Sequence, residues 1–490
     1  MAYISAIRAE GHRLPKRFPQ FLGPGTITYP GGYHWVLSFL PERAVSLVAR
    51  YGGLVGDLAI GGAVSWLLIR YADVAGTAAI ALVALYLGSP ALTLVNIGPR
   101  SFHLTPRLPS QLLYGCIIVL VIAAGGRPSP ELLLLVTVLL AATLLTSKFA
   151  LQVALFALPP LMLSGRPLSA LAVFVSSCLL AVVVSRGFFV RQVRAQLEHL
   201  EWYVKRHRHH MFRANAWGDI AGRLRGGDYR EAVRLLLLKD PLTAGLLRHL
   251  HIVALAAWLI ATRPALTAAQ SAALAFTIAG LVGWIATCAG VLRVLGESER
   301  YLEFALPASW FLFWSVPRDG AFLAALSVAV IYEAVLYVGN LRVLKGRRAE
   351  LIRLRVDRQE VLQQVSANGA ATLLFLNAVD TYALRDFPSL RTVMYSGSQS
   401  VRGELAAFLD WFFVRYPFVD PSNVPAIVER YGVDFVISRR DAHTGSEAGP
   451  QYDFTSFMLR FANSTYAVYG RPTHPPEVTR SDARSTTVAR

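Results

Sequence analysis

One short segment between two apolar stretches carries the densest set of reactive side chains. It reads GESERYLE (Gly296–Glu303) and brings Glu297, Arg300 and Tyr301 within about two helical turns. A guanidinium group binds a phosphate through two parallel hydrogen bonds. Arg300, with Tyr301 beside it, is therefore a candidate to hold a phosphate. A loop of internal ion pairs is an equally good interpretation of the spacing.

Further polar candidates lie near the N-terminus. Asp57 lies inside an apolar run, GLVGDLAIGG, where a carboxylate is costly and often functional. A packing role, satisfied by a neighbouring helix, is the equal alternative. Tyr29, His34 and Trp35 belong to a Pro/Gly-rich aromatic stretch, TYPGGYHW. We treat Asp57, these three residues and Glu297 as candidates to line a cavity. A lone interfacial histidine, however, is more often structural.

Other reactive motifs are missing from the sequence. It has no Walker A loop, no strand-linked GxGxxG, no HExxH and no GxSxG. This disfavours an ATP-driven pump. His207, His209 and His210 lie in KRHRHH, where neighbouring cations disfavour a metal ion and favour a solvated basic face. We assign no metal ligands.

Apolar helices must position these residues. Of 490 residues, 54% are hydrophobic and only 16% charged, whereas soluble proteins carry about a quarter charged residues. Several apolar runs approach the roughly 20 residues that cross a bilayer. Such spans are helices because lipid offers no partners to the backbone. The composition predicts a polytopic α-helical membrane protein with a small C-terminal α/β domain.

The apolar segments define the predicted organisation of the chain. They are Gly52–Ile69, Val74–Ile97, Leu108–Ala124, Glu131–Thr146, Phe149–Leu163, Leu168–Phe188, Leu250–Thr262, Ala268–Leu292, Leu302–Val316 and Ala321–Gly339. The predicted regions are a first external loop with an interfacial helix (1–50), a bundle of about ten transmembrane helices (51–340) with a basic amphipathic insertion (186–248), an amphipathic connector (341–366), a soluble α/β domain (367–471) and a disordered tail (472–490).

The C-terminal domain is expected to alternate strands and helices. Strands are predicted at Thr372–Val379, Arg391–Gly397, Val433–Ser438 and Thr465–Gly470. Helices are predicted at Val401–Tyr416, at Pro421–Tyr431 with Asp420 as N-cap, and near Phe454–Phe461.

The charge balance points to an anionic partner. The formal net charge is +17, and the basic residues lie in loops that flank apolar spans. This pattern favours anionic lipid headgroups or a phosphate-bearing lipid as the partner. It argues against nucleic acid.

Several segments resemble landmarks of a known family. The opening ISAIRAEGHRLP, followed by TYPGGYHWVLSFLP, resembles the first external loop of GT-C class membrane glycosyltransferases, specifically of an uncharacterised bacterial branch. TPR (Thr105–Arg107), SKFALQ (Ser147–Gln152) and GESERYLEFALP (Gly296–Pro307) resemble later landmarks. YGVDFVIS and NSTYAVYGR are similar to the last strands of the extracytoplasmic domain. The resemblance implies a GT-C-like bundle.

This resemblance implies transfer of a sugar from a polyprenyl-phosphate donor to a glycan, lipid or protein acceptor. It matches Arg300, with Tyr301, to the arginine that holds the donor phosphate. It also implies an acid in the first external loop that serves as base or as ligand of a divalent cation. The early acids Glu10 and Glu42 are not at that position. The catalytic acid is therefore expected upstream of Met1.

The resemblance also implies a multi-pass protein of the plasma (inner) membrane. It places the first loop, the insertion, the Arg300 turn and the C-terminal domain outside the cytoplasm, and ten spans agree with that parity. The positive-inside rule favours the opposite orientation. Two other functions stay open. One is a non-catalytic envelope protein, which the missing acid favours. The other is a lipid or solute transporter, which predicts internal repeats that the sequence does not show.

Overall fold

The computed structural model describes most of the chain. The described residues are 2–17, 20–24, 27, 28, 30–89, 92, 107–125, 129–163, 167–206, 216–238, 240–288, 292, 295, 298–316, 320–394, 404–415, 418–440 and 450–471. Within them the protein is mostly helical, with a small sheet near the C-terminus. This confirms the prediction of a mostly helical chain with a small α/β region near its C-terminus. The predicted tail, 472–490, lies outside the described residues.

The chain divides into two compact units. The helical unit comprises Met1–Phe18, Gly25–Arg348 and Gly397–Leu405. The α/β unit comprises Pro19–Pro24, Ala349–Ser396 and Ala406–Arg490. A short N-terminal segment therefore belongs to the same unit as the C-terminal residues.

Sixteen described helices precede the sheet. They are α1 (Ala2–Ala9), α2 (Gly32–Ser38), α3 (Glu42–Ala72), α4 (Gly76–Gly88), α5 (Arg107–Ala123), α6 (Pro130–Thr146), α7 (Lys148–Leu163), α8 (Pro167–Val184), α9 (Phe188–Arg206), α10 (Ala216–Arg225), α11 (Tyr229–Leu238), α12 (Pro241–Arg248), α13 (Leu250–Thr262), α14 (Ala268–Cys288), α15 (Glu299–Ser315) and α16 (Gly320–Ser366). Each predicted apolar segment overlaps at least one of them.

Length and composition separate these helices into two groups. Among the described residues, α3, α8 and α14 are long and apolar enough to cross a membrane. Helices α4, α5, α6, α7 and α13 are apolar but shorter. Of α3, α8 and α14, helix α8 is the most apolar, with a mean hydropathy of 2.4, yet only 11% of its residues are buried in the protein.

Two elements differ from simple sequence expectations. Helix α7 runs without a break although Pro159 and Pro160 lie inside it. The last apolar segment and the predicted connector, 341–366, form one helix of 47 residues, α16. The connector is therefore a continuation of that helix and not a separate one.

Glycines bring α14 and α15 close together. A Cβ on Gly283 would lie 2.4 Å from Cδ1 of Tyr301, and one on Gly280 would lie 2.4 Å from Cβ of Ala305. Small residues at such crossings let two backbones approach and gain van der Waals contact. The first turns of α15 are therefore fixed against α14 by shape.

Helices α3, α5 and α15 run in the same direction. Near the last turns of α3 and α5, the Tyr71 hydroxyl donates to the carbonyl oxygen of Ala123. The ring of Tyr86 in α4 packs on Gly61 of α3 and lies 6.0 Å from the Trp310 ring of α15. The N-terminal turns of α5 and α15 therefore lie together, beside the middle of α3 at Asp57.

The α/β unit contains a five-stranded mixed sheet. The named strands and the helices around them are β1 (Ala371–Phe375), β2 (Leu390–Thr392), α17 (Glu404–Phe412), β3 (Phe413–Arg415), β4 (Phe418–Val419), α18 (Val424–Arg430), β5 (Phe435–Arg439), β6 (Met458–Ala462) and β7 (Tyr466–Gly470). The order is β2-β1-β5-β7-β6, with β3 and β4 as a separate pair. Strands β2, β1 and β5 are parallel, whereas β7 is antiparallel to both neighbours.

Strands β1, β2, β5 and β7 lie where strands were predicted. The helix predicted at Val401–Tyr416 is wrong at its end, because Phe413–Arg415 form β3, and the helix predicted near Phe454–Phe461 is wrong altogether. Asp420 caps the turn before α18, since its carboxylate accepts the Ser422 N–H at 3.0 Å. The segment near Phe454–Phe461, predicted as a helix, enters strand β6. The Asn463 side chain accepts the N–H groups of Thr465 and Tyr466 and so closes a tight turn. That turn folds β6 back onto β7.

Candidate functional site

The first turn of α15 meets the start of α7. The Arg300 guanidinium lies over the Phe149 ring, with Cζ 5.9 Å from its centroid. The Tyr301 ring contacts the rings of Phe149 and Phe156, at 4.7 and 5.1 Å between centroids. Two segments that the sequence analysis singled out, SKFALQ and GESERYLEFALP, are thus neighbours. The cation–π contact orients Arg300, which stays partly exposed.

Tyr301 is a packing residue in this arrangement. Its side chain is 1% exposed and rests on Gly283. Its hydroxyl has no hydrogen-bond partner among the residues that the structure describes. The sequence analysis placed Tyr301 beside Arg300 at a donor phosphate. The structure points its ring into the helical unit, where it packs on Phe149, Phe156 and Gly283.

A narrow acidic cleft begins one turn further along α15. Glu303 is 6% exposed, and its Oε2 accepts a hydrogen bond from Nε2 of Gln111 in α5 at 2.8 Å. Asp57 of α3 lines the same cleft, which holds about 320 Å³ of empty space including the part open to the exterior. The remaining lining residues are Gly56, Ile60, Tyr86, Leu92, Leu108, Leu112, Phe304 and Pro307.

The local sequence explains how α3 presents Asp57. Gly53, Gly56, Ile60 and Val64 are buried and recur at helical spacing, so they form the inner face of α3. Asp57 follows Gly56 at the edge of that face and is half-buried. Its carboxylate therefore reaches the cleft without entering the packed core.

The cleft walls carry oxygen acceptors. They offer the carboxylates of Asp57 and Glu303 and the amide of Gln111. The Gln111 Oε1 atom has no hydrogen-bond partner within the described part of the chain. Such walls suit a ligand that donates hydrogen bonds, such as a hydroxyl group. The described residues contain no group of three or more His, Cys, Asp or Glu side chains that could hold a metal ion. The divalent cation implied by the resemblance therefore has no ligand set among them.

His34 and Trp35 belong to a separate arrangement in α2. His34 is 8% exposed and lies between the rings of Tyr3 and Tyr33, at 5.1 and 5.8 Å. Burial lowers its pKa from 6.5 to about 3. The imidazole is therefore neutral at physiological pH. Trp35 Nε1 donates to the carbonyl oxygen of His12 at 2.9 Å, which ties α2 to the residues after α1.

Helices α1 and α2 form an N-terminal lobe, residues 2–17 and 30–40. Nε of Arg8 donates to the carbonyl oxygen of Ser38 at 3.0 Å, and Nδ1 of His12 lies 2.8 Å from the Ser38 hydroxyl. The lobe packs on the end of α6, where a Cβ on Gly32 would lie 2.8 Å from the carbonyl oxygen of Leu145. The lobe and the Arg300 turn therefore lie at the same end of the helical unit.

Helix α9, the first helix of the basic insertion, reaches this end as well. Nε2 of Gln192 donates to the carbonyl oxygen of Leu144 at 3.2 Å, and Nε2 of Gln196 donates to that of Lys148 at 3.1 Å. The last carbonyls of a helix lack partners within it, so Gln192 caps α6. The amphipathic helix thus lies across the junction of α6 and α7.

Comparison with known proteins adds nothing further. No family model matches the chain, and no curated protein is significantly similar to it.

The structure brings together only part of the predicted site. Arg300 and Tyr301 meet at Phe149, and Asp57 lies in the cleft, while His34 and Trp35 belong to the lobe. Tyr29 and Glu297 lie outside the described residues.

Two members of the cleft, Glu303 and Gln111, were not among the predicted site residues. Glu303 is three residues after Arg300, a spacing that places both on one side of a helix. That spacing could have identified Glu303 as a neighbour of Arg300. Gln111 gave only the weaker signal of an amide inside an apolar helix.

Proposed function

We propose that this protein is an integral membrane glycosyltransferase that moves a sugar from a polyprenyl-phosphate donor to an extracytoplasmic glycan, lipid or protein acceptor. The observation that carries the proposal is the start of α15. There Arg300 lies one turn from a cleft that contains Glu303, Gln111 and Asp57. Arg300, a cation suited to a phosphate, and the buried carboxylate of Glu303 are thus held on adjacent turns of one helix, and Asp57 of α3 faces the same cleft.

The exposed apolar surface supports a membrane location. Large apolar side chains of α8 that the protein leaves exposed are Leu168, Leu171, Val175, Leu179, Val183 and Val184. Each Å² of apolar surface in water costs about 25 cal/mol. Lipid removes that cost, and we infer that α8 faces acyl chains along its length.

Arg300 would hold the donor phosphate. A guanidinium can stack its face on a ring while its N–H edge binds an oxyanion. The Phe149 ring lies against the guanidinium in this way. The N-terminal turn of a helix also favours an anion, because its free N–H groups carry partial positive charge. Both effects act on the same phosphate.

The acidic cleft would supply the base. We assign that role to Asp57, which is half-buried, while Gln111 orients the buried Glu303. The acceptor O–H gives its proton to the carboxylate, and its oxygen bonds to the anomeric carbon of the sugar. The bond from that carbon to the phosphate oxygen breaks. Polyprenyl phosphate then leaves, with Arg300 stabilising its negative charge.

The test uses purified protein in lipid nanodiscs. Binding of polyprenyl-phosphate sugars and transfer to envelope acceptors are measured for the wild type, Arg300→Ala and Arg70→Ala. Arg70 is exposed in the last turn of α3, at the opposite end from Arg300, and is the matched control. We expect Arg300→Ala alone to weaken donor binding and abolish transfer. A wild-type protein with no affinity for these lipids, or an Arg300 turn that faces the cytoplasm, would exclude the proposal.

A second function, ion-coupled transport, is favoured by the same carboxylates. Acidic side chains inside apolar helical bundles often carry protons or ions, and Glu303 is both buried and hydrogen-bonded to Gln111. Proteoliposomes distinguish the two functions. Transport predicts pH-dependent solute or lipid movement that Glu303→Gln abolishes, without a covalent product. Glycosyl transfer predicts a new glycosidic bond.

A further inference from the structure

An extra strand lies along the edge of the sheet in the α/β unit. Residues 20–24 run parallel to β2, with Phe21 opposite Thr392. The N–H groups of Leu22 and Gly23 donate to the carbonyl oxygens of Thr392 and Val393, at 3.0 and 2.8 Å. The Thr392 N–H donates to the carbonyl oxygen of Gln20 at 2.8 Å. An edge strand exposes such groups unless another segment pairs with them.

The side chain of Gln20 strengthens this pairing. Its Nε2 lies within hydrogen-bond distance of three carbonyl oxygens, those of Leu384, Phe387 and Leu390, at 3.1, 2.9 and 3.2 Å. These carbonyls belong to the 3₁₀ segment Ala378–Asp386, to the loop after it and to the first residue of β2. A glutamate at this position would meet them with acceptors only. The site therefore selects a side-chain amide.

At position 23 the backbone approaches β2 so closely that only glycine fits. A Cβ on Gly23 would lie 2.6 Å from the carbonyl oxygen of Val393 and 3.5 Å from the Phe408 ring. The first distance is shorter than any contact a real Cβ makes, and the atom it meets is backbone. Residues larger than glycine therefore displace the strand.

The side chains of β2 are buried on one face. Leu390 and Thr392 are at most 1% exposed, whereas Arg391 between them is exposed.

We propose that this edge is a sequence-selective strand-binding site and that its ligand is residues 20–24 of the same chain. The site binds a segment that has glutamine at position 20 and glycine at position 23. It completes the sheet with a segment that precedes the lobe helix α2 by only a few residues. Residues 20–24 thereby belong to the same compact unit as the C-terminal sheet. This inference does not depend on the proposed enzymatic activity.

Hydrogen exchange on the full-length protein in nanodiscs tests the proposal. We expect Gln20→Ala to raise exchange in residues 388–394 about tenfold, a factor equivalent to about 1.4 kcal/mol. Gly23→Ala should act in the same direction. The matched controls are Gln364→Ala, at an exposed position in α16, and Gly76→Ala, at a glycine with open space around it. Both should leave residues 388–394 protected.

Two results would overturn the inference. One is unchanged exchange at residues 388–394 in Gln20→Ala, which retains the rest of the segment. The other concerns the source of the strand. A wild-type dimer that loses this protection when diluted to monomers would show that a second copy supplies the strand. A monomer that keeps the protection supports the proposal.

Discussion

Acidification should loosen the N-terminal lobe through His34. The folded lobe holds this imidazole neutral, with its pKa lowered by burial to about 3, against 6.5 when exposed. Between these values the unfolded lobe binds a proton that the folded lobe does not. Stability therefore falls as the pH drops below 6.5. From pH 7 to pH 5 the loss is about 2 kcal/mol, since each unit contributes about 1.36 kcal/mol.

Hydrogen exchange measures this change directly. After correction for intrinsic rates, lobe amides that open locally should exchange about 30-fold faster at pH 5 than at pH 7. His34→Gln should remove most of this pH dependence. His12→Gln, which breaks the contact with Ser38, should shift exchange at both pH values and keep the dependence. Equal exchange of the wild-type lobe at pH 5 and pH 7 would refute the reasoning.

Three further predictions concern packing and charge. Asp380→Asn leaves a largely buried arginine partner uncompensated, so denaturant unfolding of the α/β unit should show a loss of about 3 kcal/mol. Hydrogen bonds from two hydroxyl groups lower the pKa of Asp357. Its contribution to stability is present above about pH 4 and lost as the pH falls through the lowered pKa, and Asp357→Asn should flatten the acid-unfolding profile. Gly283→Leu drives a side chain into Tyr301 and should lower the melting temperature in detergent by several degrees, whereas Gly62→Leu, at a glycine with open space, should not.

Helix positions were predictable because apolar runs report them directly. Each predicted apolar segment overlaps a helix, since a run of that length and composition has few other ways to satisfy its backbone. The helix predicted near Phe454 was wrong because the turn at Asn463 decides the direction of the chain. The segment before the turn becomes strand β6 because it pairs with β7.

The cleft could not be predicted in the same way. Asp57, Gln111 and Glu303 are far apart in sequence, and only the parallel packing of three helices joins them. Residues 20–24 gave no strand signal either, because five residues between prolines and glycines show no alternation. Their β character comes entirely from an edge that the chain supplies 370 residues later.

That separation in sequence means that the two paired segments are synthesised at different times. The segment around Gln20 is translated 370 residues before its partner at Leu390. At about 5–20 residues per second, the earlier segment waits roughly 20–70 s before its acceptor exists. Until then its amides have no sheet edge to pair with. A nascent chain halted before Leu390 keeps that segment unpaired, a mark by which quality control can tell it from a finished molecule.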